Sequence, residues 1–307
     1  MMPSPTAGGG KPGGPAAQGG ATAASTDRAI AGAVADARKP MSFRAEIAAT
    51  LGFIERNFYL VKRYFGWELV FLFYNIVNTL TIALIATAMP GDKGRMVLFL
   101  VVGALLWGYL SVIFHDVSES VAWERWEGTI EYTFMAPIHR ATHLFGMCIY
   151  AVIYGVIRSS VVLGAVTLFF SLNLAGANLL GALTVLMVAS FAFIGLGLMA
   201  AVFPLLSTER GAQATHVMEA FLLLVSGAYY AVSALPAWLQ PLSVISPATY
   251  ALRAIRAALL DGATLGQLLP DIGILAITGV VLIPLGLAVF QAGERYAMRT
   301  GKLKRSG

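Results

Sequence analysis

Asp116-Val-Ser-Glu119-Ser-Val-Ala-Trp123-Glu124-Arg125-Trp126-Glu127-Gly128-Thr129-Ile130-Glu131 packs five of this chain's sixteen carboxylates into sixteen residues, between two long apolar runs. Wound as a helix, it sets Glu124, Glu127 and Glu131 on one face. Trp123, Trp126 and Ile130 recur at three-then-four spacing on a neighbouring face. A charged amphipathic helix of this kind cannot sit in hydrocarbon. It must project into water or lie at the membrane surface, where it can dock on another protein.

The runs on either side are long enough to cross a bilayer, which takes about 20 apolar residues. Leu69 to Met89, Met96 to Phe114 and Ile272 to Gly293 carry no interior charge, apart from the boundary residues that end them. Between His143 and Glu209 the only charge is Arg158, and the polar break Asn173-Leu-Ala-Gly176-Ala-Asn178 divides that block into two further spans. A fifth in chain order starts after Ser207-Thr208-Glu209-Arg210-Gly211 and runs to about Val232. The expected fold is therefore an all-α membrane protein with six transmembrane helices. The composition agrees, at 58% hydrophobic and 12% charged residues, with a mean hydropathy of +0.75.

Lys and Arg orient the bundle. Sixteen of the 21 fall in residues 1–65, the Asp116–Thr142 loop, the Ser207 turn and the tail, while only Lys93, Arg95, Arg253 and Arg256 fall on the other side. Both termini and the acidic helix should face the cytoplasm, with the chain in the cell (inner) membrane. Residues 1–40, rich in Gly, Pro and Ala, read as a disordered cytoplasmic tail, and 294–307 as a basic one. In residues 41–65, Phe43, Ile47, Leu51, Ile54, Phe58, Val61 and Phe65 form one stripe with Arg44, Arg56, Lys62 and Arg63 off it. That pattern predicts an amphipathic interface helix against the anionic inner leaflet. Residues 66–293 form the six-span domain.

Ahead of the last span, residues 234–262 contain Pro236, Pro241 and Pro247, which forbid one continuous helix. Two short helices, one starting near Pro236 and one near Pro247, would give a re-entrant hairpin capping the outer end of a path, with Pro236, Pro241, Pro247 and Tyr250 as its gate; the alternative is an outer interfacial loop anchored by Trp238 and Tyr250.

Several chemistries are missing. Gly10-Lys11 is followed by Pro12 and Gly301-Lys302 by Leu303, so neither is a phosphate loop. The single Cys148 lies in an apolar span and is expected to pack. His115, His139, His143 and His216 show no metal-ligand spacing, so no metal site is expected, and no catalytic residue. Arg158 sits mid-span, where a charge costs roughly 2.5 to 3.5 kcal/mol, so it needs a partner: Glu219, a carbonyl or a water-filled cavity.

The run from Trp123 to Glu131 through Met135-Ala136-Pro137, with the Pro236–Gly262 hairpin before a last span, resembles the type-two ABC exporter permease family over about residues 41–295. That resemblance implies two six-span chains around a central path and two copies of a separate ATP-binding subunit, which holds the ATP and Mg. It also makes residues 117–135 the coupling helix. By position, Trp123, Glu124, Trp126, Glu127, Gly128, Thr129 and Glu131 become coupling residues, the acids pairing with a basic partner and the tryptophans anchoring the helix. Spans two and five would line the route, which nominates Trp107, Tyr109, Phe221, Tyr229 and Tyr230. A lipophilic cargo, drug or lipid, is expected; polysaccharide or lipid-linked glycan is the alternative. A proton-coupled carrier and a non-transporting assembly protein are the readings from other classes. Membrane lipids are expected partners, nucleic acid is not, and the second permease chain could be identical or different.

Overall fold

A computed structural model of the chain describes residues 42–89, 91–128, 140–207 and 210–300. The expected terminal tail (residues 1–40), Thr129, Glu131 and the Met135-Ala136-Pro137 run lie outside the described residues, as do residues 301–307.

Every regular element among the described residues is helical. In order they are α1 (Phe43–Arg63), α2 (Phe65–Thr87), α3 (Lys93–Glu127), α4 (Arg140–Phe170), α5 (Leu179–Ala200), α6 (Val202–Leu206) and α7 (Gly211–Ser226). A 3-10 turn at Val232–Ala234 then leads to α8 (Gln240–Ile245), α9 (Pro247–Leu260) and α10 (Leu265–Arg299). Five of the helices are long and apolar enough to cross a membrane: α2, α3, α4, α5 continued through α6, and α10.

Polar caps set the boundaries. Ser42 caps α1, accepting from the Ala45 amide, and Asp92 caps α3, accepting from Gly94 and Arg95. Asn178 caps α5 through Gly181 N–H at 2.8 Å and reaches the other way to the Ala263 carbonyl, so the polar break fastens the end of α4 to the end of α9. Thr264 and Gln267 form a capping box on α10.

Three expected boundaries move. α7 stops at Ser226, six residues early, because Gly227 turns left-handed with φ 72°. The first hairpin helix begins at Gln240, not near Pro236, with Pro241 in its first turn, while α9 begins at Pro247 as expected. The acidic segment starts no separate helix: α3 runs unbroken for 35 residues until Gly128 caps it at φ 76°.

Side-chain registers give the directions. Tyr109 meets Ser190 and Arg125 meets Pro204, so α3 and α5 run parallel. Glu68 meets Tyr154 and Arg158 reaches Phe71, so α2 and α4 do too. Ser111 meets Glu219, and Gly103 lies against Ala228, so α7 returns antiparallel to α3. The helix at the centre is α3, which packs on α2, α4, α5, α7 and α9. Its most apolar stretch is 72% buried, against 17% for α2 and for α10, which leaves those two facing outward.

The closest pairing joins α5 to α10, also parallel, because Gly279, Gly286 and Gly293 recur every seventh residue and let the backbones approach. A Cβ on Gly286 would stand 2.5 Å from the Gly195 carbonyl and 3.0 Å from Leu198 Cβ. Gly286→Ala should therefore destabilise the chain by about 1 to 3 kcal/mol through overpacking, read as a lower unfolding temperature in detergent. Gly273→Ala on the same helix, where a Cβ meets open space, should leave that temperature unchanged.

Candidate functional site

The C-terminal end of α3 is held from two sides by two adjacent residues. Glu124, 6% exposed, accepts from His143 Nε2 of α4 at 3.0 Å and pairs with Arg56 of α1 at 3.6 Å. His143 is braced in turn by the Phe53 ring, edge-on at 4.7 Å. Arg125, 2% exposed, donates to the Pro204 and Leu205 carbonyls at 3.0 and 2.9 Å, supplying partners to the C-terminal end of α6. One residue thus locks α3 to α1 and α4, and the next locks it to the turn before α7.

Of the expected coupling residues, Glu124 is buried and ties α3 to α1 and α4. Trp123 and Trp126 are 57% and 62% exposed, with ring centroids 5.3 Å apart, and form the outward face. Trp123 and Trp126 stand on one face of α3 and Glu124 on another, and α1 and α4 cover the second. Gly128 ends the helix, Glu127 is its last residue and its side chain lies outside the described residues, as do Thr129 and Glu131. Beside the tryptophans a polar cleft of about 650 Å³ runs between α1 and α3, with Arg56, Arg63, Glu68, Asp116 and Glu119 on its walls.

The intramembrane charges part company. Arg158 does not meet Glu219. It donates to the Tyr154 hydroxyl at 3.1 Å and the Phe71 carbonyl at 3.3 Å, and Tyr154 passes the contact on to Glu68. The carbonyl alternative is the one found, because α4 packs beside α2 on the far side of α3 from α7. Glu219, 5% exposed, instead accepts from Ser111 and faces His115 and His216, whose Nε2 and Nδ1 lie 3.1 Å apart. The expectation that the histidines form no set fails for this pair: about a hundred positions separate them in sequence, and the antiparallel packing of α3 and α7 closes the gap.

Of the nominated route residues, Tyr109 is fully buried, bonded to Ser190 and packed near Phe193, so it lines no opening here. Trp107 and Tyr229 are partly covered by the core, and Tyr230 donates to the Leu224 carbonyl. Phe221 is 48% exposed on α7. In the hairpin, Pro236 lies in the turn before α8, and Tyr250 donates to the Val244 carbonyl at 2.7 Å. Arg253 stacks over Tyr250 and forks onto Asp271 of α10. The residue that sequence reading passed over is Arg256. It donates to the carbonyls of Gly227 at 3.1 Å and Ala228 at 2.5 Å, reaches Phe99 O at 3.3 Å, and lies over the Phe99 ring at 3.5 Å. Its only advance signal was its place three residues after Arg253 on a proline-started helix.

A second opening, of about 560 Å³, lies between α3, α4, α5 and α9. Its wall is made of residues such as Leu105, Leu106, Leu163, Leu183 and Ile255, relieved only by the hydroxyls of Ser159, Ser160 and Thr167, and no charged residue borders it.

These features define a multi-pass helical membrane protein whose second apolar helix is anchored at its C-terminal end to α1, α4 and α6. The model of the ABC-2 type transporter family matches residues 55–260, two thirds of the chain, and the protein belongs to that family as a permease subunit of an ABC transporter. No curated protein matches the chain.

Proposed function

We propose that the chain is the membrane subunit of an exporter that moves a lipophilic cargo, drug or lipid, outward across the cell (inner) membrane, with both termini in the cytoplasm. Two copies of a separate ATP-binding subunit would supply ATP and Mg, and a second permease chain would complete the path. The observation that carries the cargo class is the uncharged 560 Å³ opening between α3, α4, α5 and α9. A wall of Leu, Val and Ile rewards burial of apolar surface at about 25 cal/mol per Å² and offers no charge to a sugar or ionic cargo.

The shared direction of α3, α5 and α10 supports six crossings, with the chain between α6 and α10 returning through the bilayer. The 16 residues of α7 span about 24 Å, and residues 227–264 supply the remainder as a re-entrant hairpin. In that setting α1 is the interface helix: Phe43, Ile47 and Leu51 stay exposed while Phe53 and Asn57 pack toward α4. Trp123 lies nine residues past Phe114, about 13 Å beyond the hydrocarbon edge. That is farther out than the roughly 5 to 7 Å headgroup layer where interfacial tryptophans sit, and it favours a protein contact. Closure of the ATPase pair would push on this end of α3 and, through Glu124 and Arg125, move α1, α4 and the α6 turn as one body.

Gly164 offers the test, because it borders the opening and a side chain there meets open space. Gly164→Trp should leave unfolding temperature and basal ATP hydrolysis of the reconstituted complex unchanged. Stimulation by uncharged lipophilic compounds or phospholipid in the parent, lost in the variant, is the expected result. Stimulation by a lipid-linked oligosaccharide alone would remove the lipophilic reading.

A further inference from the structure

We propose that His115, His216 and Glu219 form a three-ligand site for a zinc-type divalent ion that ties α3 to α7. The three facing atoms already stand as one face of a coordination polyhedron. His115 Nε2 is 3.1 Å from His216 Nδ1 and 3.6 Å from Glu219 Oε2, and His216 Nδ1 is 3.7 Å from the same oxygen. Four-coordinate zinc with bonds of about 2.0 to 2.1 Å needs ligand atoms about 3.3 to 3.4 Å apart, and the triangle brackets that length. The donors, two imidazoles and a carboxylate, suit zinc and its neighbours and leave a fourth position for water.

The supporting shell is present as well. His216 and Glu219 are three residues apart on α7 and so share a face. Glu219 is 5% exposed, and its other oxygen, Oε1, accepts from Ser111 of α3, which fixes the carboxylate with Oε2 toward the rings. The imidazoles are exposed, His115 at 31% and His216 at 57% of their side chains, so neighbouring side chains do not block an ion's approach. One residue past Phe114, His115 stands where α3 emerges from the hydrocarbon on the inner side. Binding would hold α3 and α7 together at that level. The consequence for turnover, a clamp on the inner mouth, rests on the exporter reading above; the ligand assignment does not.

The test uses the full chain in detergent, purified on a tag without histidines, incubated with zinc and passed through metal-free buffer. One zinc per chain by elemental analysis is expected, with visible bands of four-coordinate cobalt after exchange. His115→Ala and His216→Ala, which alter exposed rings, should each weaken affinity about tenfold or more, and the double variant should retain none at unchanged helicity and elution volume. Substoichiometric zinc, or zinc retained by the double variant, would overturn the site. In the reconstituted complex, zinc should slow ATP hydrolysis, a zinc-selective chelator that leaves Mg in place should restore it, and His216→Ala should escape. Stoichiometric zinc with unaltered hydrolysis would overturn the clamp and leave the ligands standing, whereas a complex that hydrolyses no ATP without zinc would count against the exporter reading itself.

Discussion

Arg256→Leu is expected to cost about 3 to 5 kcal/mol and to lower the unfolding temperature of the detergent-purified chain by roughly 10 °C. The leucine keeps apolar bulk but leaves the Gly227 and Ala228 carbonyls, where α7 ends short of a full crossing, without the donors that Arg256 supplies. Those carbonyls cannot move away, since α7 approaches α3 so closely there that a Cβ on Gly103 would lie 1.9 Å from Ala228 O. Arg253→Leu, three residues earlier, removes an exposed fork onto Asp271 and should cost about 1 kcal/mol or less. Equal losses in the two variants would show that Arg256 is an ordinary surface charge. The comparison is read by fluorescence-detected unfolding.

Trp123→Ala combined with Trp126→Ala should weaken association with the ATP-binding subunit by about 100-fold or more, while the chain alone keeps its unfolding temperature. Both rings are more than half exposed, so little internal packing is lost, and tryptophans at the centre of a contact are worth about 2 kcal/mol each. Glu124→Ala should show the opposite pattern, with lower stability of the isolated chain, because it strips His143 and Arg56 of a buried carboxylate. Surface plasmon resonance against the captured subunit separates the two. Full affinity in the double tryptophan variant would return these rings to the membrane interface and leave the docking surface among residues 129–139.

How far the chain could be read in advance depended on whether a feature was local. The apolar runs became α2, α3, α4, α5 and α10, the polar break at Asn178 separated α4 from α5, and Pro247 took the first position of α9. The end of α7 was missed because the apolar run continues through Val232, and only the left-handed turn at Gly227 marks the stop. The partner of Arg158 was left open among three candidates, and which one it meets depends on which helices are neighbours. The burial of Glu124 and the exposure of Trp123 and Trp126 were beyond reach for the same reason: periodicity assigns faces, but burial of a face depends on α1 and α4 arriving from elsewhere in the chain.

Hydrophobic length, helix period and cap chemistry act within a few residues of one another, and they alone determined that this protein crosses a membrane as a set of helices with a charged, tryptophan-bearing segment after the second. Tertiary structure decided which charges are paired. Arg256 finds the end of α7, Arg125 the end of α6, and His115 meets His216 and Glu219, all across helices distant in sequence. The physical reason is that a buried polar group must be satisfied, but any donor or acceptor will do, so its identity is fixed only when the helices have packed.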